Sequence, residues 1–556
     1  MNHNTLQINH RLDRLFFIAA IVLTFAGATG WLVSTEPYSD DWAYSCEVPV
    51  KADYDMWDIR EATIENFSQV WPSIANHWVY ENTRLGNMAM LILQPLPRTV
   101  SMVLCGVFIA LMLWMIYAAA RLQPGRRPLL WTASGVLLLW CAFPWYNNFQ
   151  ALDFQLNYVP ATILACLVVM MARGYGSVAA AAAVSMVAGL WHEGFACVLL
   201  AFLAFMFLCE RRLRPRLVAM AVALAVSLVL AIMGGTGARL TDTVESGITP
   251  VKYLISVYII TLWPLWAAIF LTVLTAIAYH RRRIAAAPLW RRMIPLFAAA
   301  LCGVAMSAVL AGKARYFWPA YLFSILIILD NIYIMCCLVR PLLSGRVDMV
   351  LACAVSVVYA AWLSLLGVEQ YRSGRLQRLA AETAVTALTG DDDVLFVDVV
   401  RPEQTCPLLM DMTSFSAILE YHSNFMFAAR YGGRGRNFLV LPAEYAGKPF
   451  DEFPSVSADG NVRGIWPVYA VRKMPEYASP KRVELNLEVG PVTGPRNALE
   501  TLMSRLSGLG DNDSRIIQNF ASPMPACYRG DSITLLFMAD MPRSLAGRDI
   551  KSISFR

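Results

Sequence analysis

The stretch LFFIAAIVLTFAGATGWLVSTEPYSDDWAY, residues 15–44, joins an apolar run to an acidic, aromatic one. Leu15–Ser34 has the length of a membrane span, about 20 residues. Arg11 and Arg14 flank it as they would flank a signal peptide. Its apolar part is longer than the roughly 7–15 residues of a signal-peptide core, so it reads as an uncleaved first helix. A carboxylate pair, Asp40-Asp41, follows soon after that helix ends.

Outward from this stretch, the chain repeats its first element. Of 556 residues, 57% are hydrophobic and 15% are charged, and the apolar residues come in long runs. A multi-pass helical membrane protein is the class that accommodates them. Further spans are expected at Thr99–Ala120, Pro128–Trp145, Tyr158–Ala172, Ser177–Leu190, Gly194–Cys209 and Leu217–Met233. Four more are expected at Leu254–Tyr279, Met293–Ala311, Phe317–Leu338 and Val347–Leu366, which makes about eleven. The net charge of +6 does not point to nucleic acid, because most arginines sit in short loops between apolar runs.

Those arginines set the expected orientation. Arg11, Arg14, Arg121, Arg126, Arg127, Arg173, Arg211, Arg212, Arg214, Arg216, Arg281–Arg283, Arg291, Arg292, Arg340 and Arg346 fall in one set of loops. The opposite set is poor in Lys and Arg, and its first loop, 35–98, is acidic. The N-terminus is therefore expected in the cytoplasm and Asp40-Asp41 outside. Between Arg173 and Arg211 the chain must turn back at Trp191-His192-Glu193-Gly194. Irregular backbone at that depth is tolerated around a cavity.

After Leu366 polar residues, prolines and glycines become common. Residues 1–367 are read as the membrane domain and 368–556 as a small extracytoplasmic α+β domain. In it, Tyr371–Leu388 and Ala498–Leu509 have helical spacing. Val394–Val400, Phe438–Pro442, Val483–Val489 and Ile533–Met538 alternate like strands. Most of the twelve cysteines lie in apolar runs as small core residues. Cys406 and Cys527 fall in the tail, where a disulfide and two free thiols are both open.

Several motifs carry chemistry. A positioned carboxylate, Asp41 or Asp40, can take a proton from a hydroxyl nucleophile, and the pair could hold a divalent cation such as Mg or Mn. The plainer reading of Ser39-Asp40-Asp41 is a helix cap. Arg84, in NTRLGN (82–87), offers a guanidinium fork for a phosphate oxygen, or a local ion pair. Asn87 closes that motif. His192-Glu193 is an ionisable pair near membrane depth, a functional hypothesis by default, or a hydrogen-bonded hairpin tip. Gly234-Gly235-Thr236-Gly237-Ala238-Arg239 could cradle an anion. Lys313 and Arg315 lie where basic residues are unusual and could offset a phosphate leaving group, or anchor by snorkelling. Asp330-Asn331 reads as interhelical packing.

Tyr38-Ser39-Asp40-Asp41-Trp42 after a first span, Arg84-Leu85-Gly86-Asn87, the His192-Glu193 turn, Arg315 and a C-terminal outer domain resemble the GT-C superfamily of membrane glycosyltransferases. More narrowly, they resemble a bacterial multi-pass family with a DD motif in the first outer loop. The resemblance covers most of Leu15–Leu366. It implies a polyprenyl-phosphate-linked sugar donor and a glycan or lipid acceptor in the cell envelope. It implies that Asp41 first, and Asp40 second, acts as base or places a metal. Arg84, Arg239, Lys313 and Arg315 are then expected to stabilise the departing phosphate, His192-Glu193 to orient the acceptor or sugar, and Asn87 to contact the substrate. A transporter or flippase of such precursors would more often show internal repeats, and none is visible. A non-catalytic membrane scaffold is the other alternative.

Overall fold

The computed structural model describes residues 3–34, 37, 41, 44–48, 62–120, 128–145, 151–237, 262–309, 314–339 and 345–387. In the C-terminal part it describes 394–397, 439–442, 454–455, 467–475, 483–496, 501–502, 504–505, 508–521, 523–529, 532–540, 545 and 547–555.

The chain is mostly helical. α1 is His3–Val33, α2 Phe67–Asn76, α3 Leu85–Leu93, α4 Arg98–Ala120, α5 Leu129–Ala142, α6 Leu152–Ala172 and α7 Val178–Trp191. Then come α8 Glu193–Cys209, α9 Arg214–Met233, α10 Trp263–Arg281, α11 Ala287–Val309, α12 Trp318–Val339 and α13 Gly345–Ala387. Among the described residues, eight helices are long and apolar enough to cross a membrane. α5, α7 and α8 are apolar but shorter.

Burial separates the centre of the bundle from its margin. The apolar window of α6 is 78% buried and that of α12 is 67% buried, against 6% for α13. The centre is aromatic. Trp318 stacks on Phe143 at 4.4 Å and meets Trp145, Phe154 and Tyr158 within 5.6 Å. Its indole N–H donates to Thr162 Oγ1 at 2.8 Å, which satisfies a polar atom that burial would otherwise strand.

The contacts give the bundle two distinct ends. At one end Asp41 bonds the first turns of both α4 and α6, so these helices run parallel. At the other end Arg173, just past α6, donates to the Ala119 carbonyl at the end of α4. Asp330 of α12 takes a forked pair of bonds from Arg292 of α11, which also bonds the Ala120 carbonyl. Asn331 donates to Thr272 Oγ1 and to the Ile327 carbonyl. Asp330-Asn331 thus ties helices together, as its position implied.

α6 starts at Leu152, earlier than the expected Tyr158. Its first turn is polar, and the Asp41 carboxylate supplies the acceptor that its free N–H groups require. α13 is one unbroken helix of 43 residues, about 65 Å at 1.5 Å per residue. It therefore joins the expected Val347–Leu366 span to the expected Tyr371–Leu388 helix.

Among the described residues, the C-terminal part forms three sheets. β1 (Val394–Val397) pairs in parallel with β2 (Leu439–Pro442). β3 (Pro454–Ser455), β4 (Pro467–Pro475), β8 (Ser532–Asp540) and β7 (Pro523–Arg529) make a four-stranded sheet in the order β3-β4-β8-β7. β6 (Arg515–Ala521), β5 (Val483–Val492) and β9 (Arg548–Phe555) make a three-stranded one. β3, β4, β6, β7 and β9 were not expected. β7 carries Pro523 and Pro525, which read as breakers, yet among the described strands it lies at the edge of its sheet, where proline is tolerated. Of the expected Ala498–Leu509 helix, only Thr501, Leu502, Ser504 and Arg505 are described as helical. Cys406 lies outside the described residues.

Candidate functional site

The end of the bundle that holds Asp41 gathers residues from stretches far apart in sequence. α7 and α8 meet there at His192, whose extended backbone (φ −161°, ψ 119°) breaks the helix. His192 then acts as N-cap: its Nδ1 accepts from the Gly194 amide at 3.1 Å. Glu193 becomes the first residue of α8, and the break turns it toward Arg84, the N-cap of α3.

Arg84 and Glu193 make a forked ion pair. Arg84 Nε donates to Oε2 at 2.7 Å, and Nη2 donates to Oε1. Both side chains are mostly buried. Burial disfavours the charge on Arg84, but the Glu193 carboxylate more than offsets this and holds the guanidinium above its ordinary pKa, with Tyr158 and Tyr316 adding to the effect. One edge of the fork is fixed by Glu193, and Nη1 lies outside those bonds. The His192 ring sits 5.0 Å from the Tyr158 ring. Arg84, Glu193, His192, Tyr158 and Tyr316 thus belong to one group.

Asp41 is 4% exposed. One oxygen accepts the Leu152 amide at 2.7 Å and the Asp153 amide at 3.3 Å. The other pairs with Arg98 at 3.1 Å. Asp41 is thus a buried acceptor at the head of a helix 111 residues away in sequence, rather than the cap of a solvated turn beside the DD motif. Both carboxylate oxygens are engaged, one by two amides and the other by a guanidinium. Among the described residues, no three His, Cys, Asp or Glu side chains gather as a metal site would need. Asp40 lies outside the described residues.

Gly234 and Gly235 serve close packing. A Cβ on Gly235 would stand 2.5 Å from the Glu81 amide nitrogen, and one on Gly234 would stand 2.2 Å from Thr83 Cγ2. Thr236 beside them bonds Thr83. Arg239 and Lys313 lie outside the described residues. Arg315 belongs to a short 3-10 turn, Ala314–Phe317, that precedes α12, and its side chain is not described.

One further residue had no place in the sequence reading. His77 opens a π-helical turn, His77–Glu81, and is 1% exposed. Its Nδ1 lies 2.6 Å from Glu81 Oε2 and its Nε2 lies 3.2 Å from Asn87 Nδ2. The His-x-x-x-Glu spacing was the available signal, since it puts both side chains on one helical face. Asn87, one turn along α3 from Arg84, links the two groups. The chain matches no protein-family model, no curated protein and no solved structure.

Proposed function

We propose that the chain is an integral-membrane glycosyltransferase of GT-C type. It transfers a sugar from a polyprenyl-phosphate-linked donor to an envelope glycan or lipid acceptor. In this reading α5, α7 and α8 cross the membrane with the eight longer helices, giving eleven spans. The arginine-rich end faces the cytoplasm of a bacterial inner membrane, and the tail lies outside.

The observation that carries the reading is the Arg84–Glu193 pair, made across 109 residues at the break between two short apolar helices. A fork held rigid on one edge keeps its other edge for a phosphate oxygen, and such preorganised charge is what a leaving lipid phosphate requires. The polar group sits against the aromatic centre around Trp318 and Tyr158, which suits a sugar ring beside a lipid. Asp41 is a positioning residue here: it fixes the first loop to α4 and α6. Arg239, Lys313 and Arg315 remain candidates to share the phosphate charge.

The test is a mass-spectrometric comparison of lipid-linked and envelope glycans in cells with the chain, without it, and with Arg84→Gln at matched protein level. Deletion is expected to remove one sugar and to build up its lipid-linked donor. Arg84→Gln is expected to slow transfer by roughly 10²–10³-fold, the usual loss for a charge-stabilising donor. Glycans unchanged by deletion would overturn the reading.

A further inference from the structure

The transfer reaction needs a group to receive the acceptor's proton, and Asp41 is held by three donors. His77 has the geometry for that task. The Glu81 carboxylate only accepts hydrogen bonds, so Nδ1 of His77 carries the proton between them. In the neutral ring Nε2 is then a lone-pair acceptor, and the Asn87 amide donates to it. Glu81 assigns the Nδ1 proton, and the amide orientation is that of the neutral ring; once Nε2 is protonated the amide turns its oxygen to accept from it. Among the described residues, Asn87's own carbonyl oxygen is buried with no hydrogen-bond partner, an arrangement that is costly unless the site uses it. The π-helical turn that presents His77 is itself a feature that recurs at functional sites.

We infer that His77 is the proton acceptor of the transfer, with Glu81 stabilising the imidazolium and the Asn87 amide holding the place of the acceptor hydroxyl. The inference rests on the glycosyltransferase reading. The acceptor O–H and the Asn87 N–H are both donors to the same Nε2 lone pair, so one replaces the other. The O–H bond breaks as the Nε2–H bond forms. The acceptor oxygen bonds the anomeric carbon as the bond from that carbon to phosphate oxygen breaks. The lipid phosphate leaves with the electron pair, toward Arg84 one turn from Asn87. Among the described residues, the titratable groups set against the ring are Glu81 on its own turn and Tyr44, 5.5 Å away, from the turn that follows Asp41. The group facing it from α3 is the neutral Asn87.

The test uses membranes that hold the full chain and its endogenous lipid-linked sugars, with loss of sugar from that lipid pool followed by mass spectrometry across pH. The wild-type rate is expected to fall on the acid side, as the ring protonates. His77→Gln, at normal expression and melting temperature, is expected to lose about 10²–10⁴-fold in rate. What remains is expected to lack the acid limb. Glu81→Gln removes the charge that favours the imidazolium, so its acid limb is expected at lower pH. A purely structural His77 would lower melting and leave the limb where it is. A full rate in His77→Gln, or an acid limb lost in Asp40→Asn instead, would overturn the inference and leave the glycosyltransferase reading standing. A lipid pool untouched by deletion of the chain would overturn both. If His77→Gln does not fold, the Glu81→Gln limb decides: an unmoved limb overturns the inference.

Discussion

Asp41 and Asp40 are neighbours of identical chemistry in the sequence, and only packing separates their roles. Asp41 accepts two amide hydrogens at the head of α6 and the Arg98 guanidinium. Asp41→Ala removes these three bonds, the ion pair with Arg98 among them. It is expected to cost about 2–3 kcal/mol, read as unfolding in mixed micelles, between a lost cap and a broken buried pair. Asp41→Asn keeps an oxygen for the two amides and should cost about half of that. Equal losses in both variants would show that the cap carries no energy. Arg84 and Glu193 make a second test at this scale. Each single Gln substitution leaves one buried charge alone. Arg84→Gln with Glu193→Gln should therefore cost less than the sum of the two by about 1–3 kcal/mol in a double-mutant cycle. Strict additivity would mean that the two side chains do not interact.

Helices meet here through small residues. A Cβ on Gly303 of α11 would stand 2.8 Å from the backbone nitrogen of Ala320 in α12. Backbone cannot rotate away, so Gly303→Val must push the helices apart. A melting temperature lowered in step with about 2 kcal/mol or more is expected, and an unchanged one would refute that contact. Gly86 is similarly tight, with Asn157 Oδ1 and backbone on its open face, which is how α3 brings Arg84 and Asn87 against α6. Asp348 of α13 accepts the Leu129 and Leu130 amides at 3.1 Å. Asp348→Ala should cost about 1 kcal/mol, as for a lost N-cap. It should also weaken a cysteine cross-link between α13 and α5, and a link of unchanged yield would show that α13 docks without that cap.

Taken whole, the bundle is polarised. Asp41, Arg84, His192 and Glu193 share one end, while Arg173, Arg292 and Asp330 hold the other. In the proposed orientation the tail after α13 is outside. Proteinase added to intact spheroplasts should then remove the tail without permeabilisation, detected by a C-terminal tag. A tail cut only in lysed cells would reverse the orientation.

Hydropathy by itself determined that the chain is a set of apolar helices followed by a strand-rich tail. A run of about 20 apolar residues has few other stable states, and that information is local. Local chemistry also marked the turn at His192-Glu193, because arginines at 173 and 211 demanded a reversal between them. It did not foresee that Asp41 would start a helix 111 residues away, or that Arg84 would meet Glu193. Nor did it assign His77 to Glu81 and Asn87, or find the edge strand β7 behind its prolines. Each of those depends on which helix faces or strand edges come together. A carboxylate's partners are set by packing at a distance, and the residue type alone leaves cap, ion pair and base equally open.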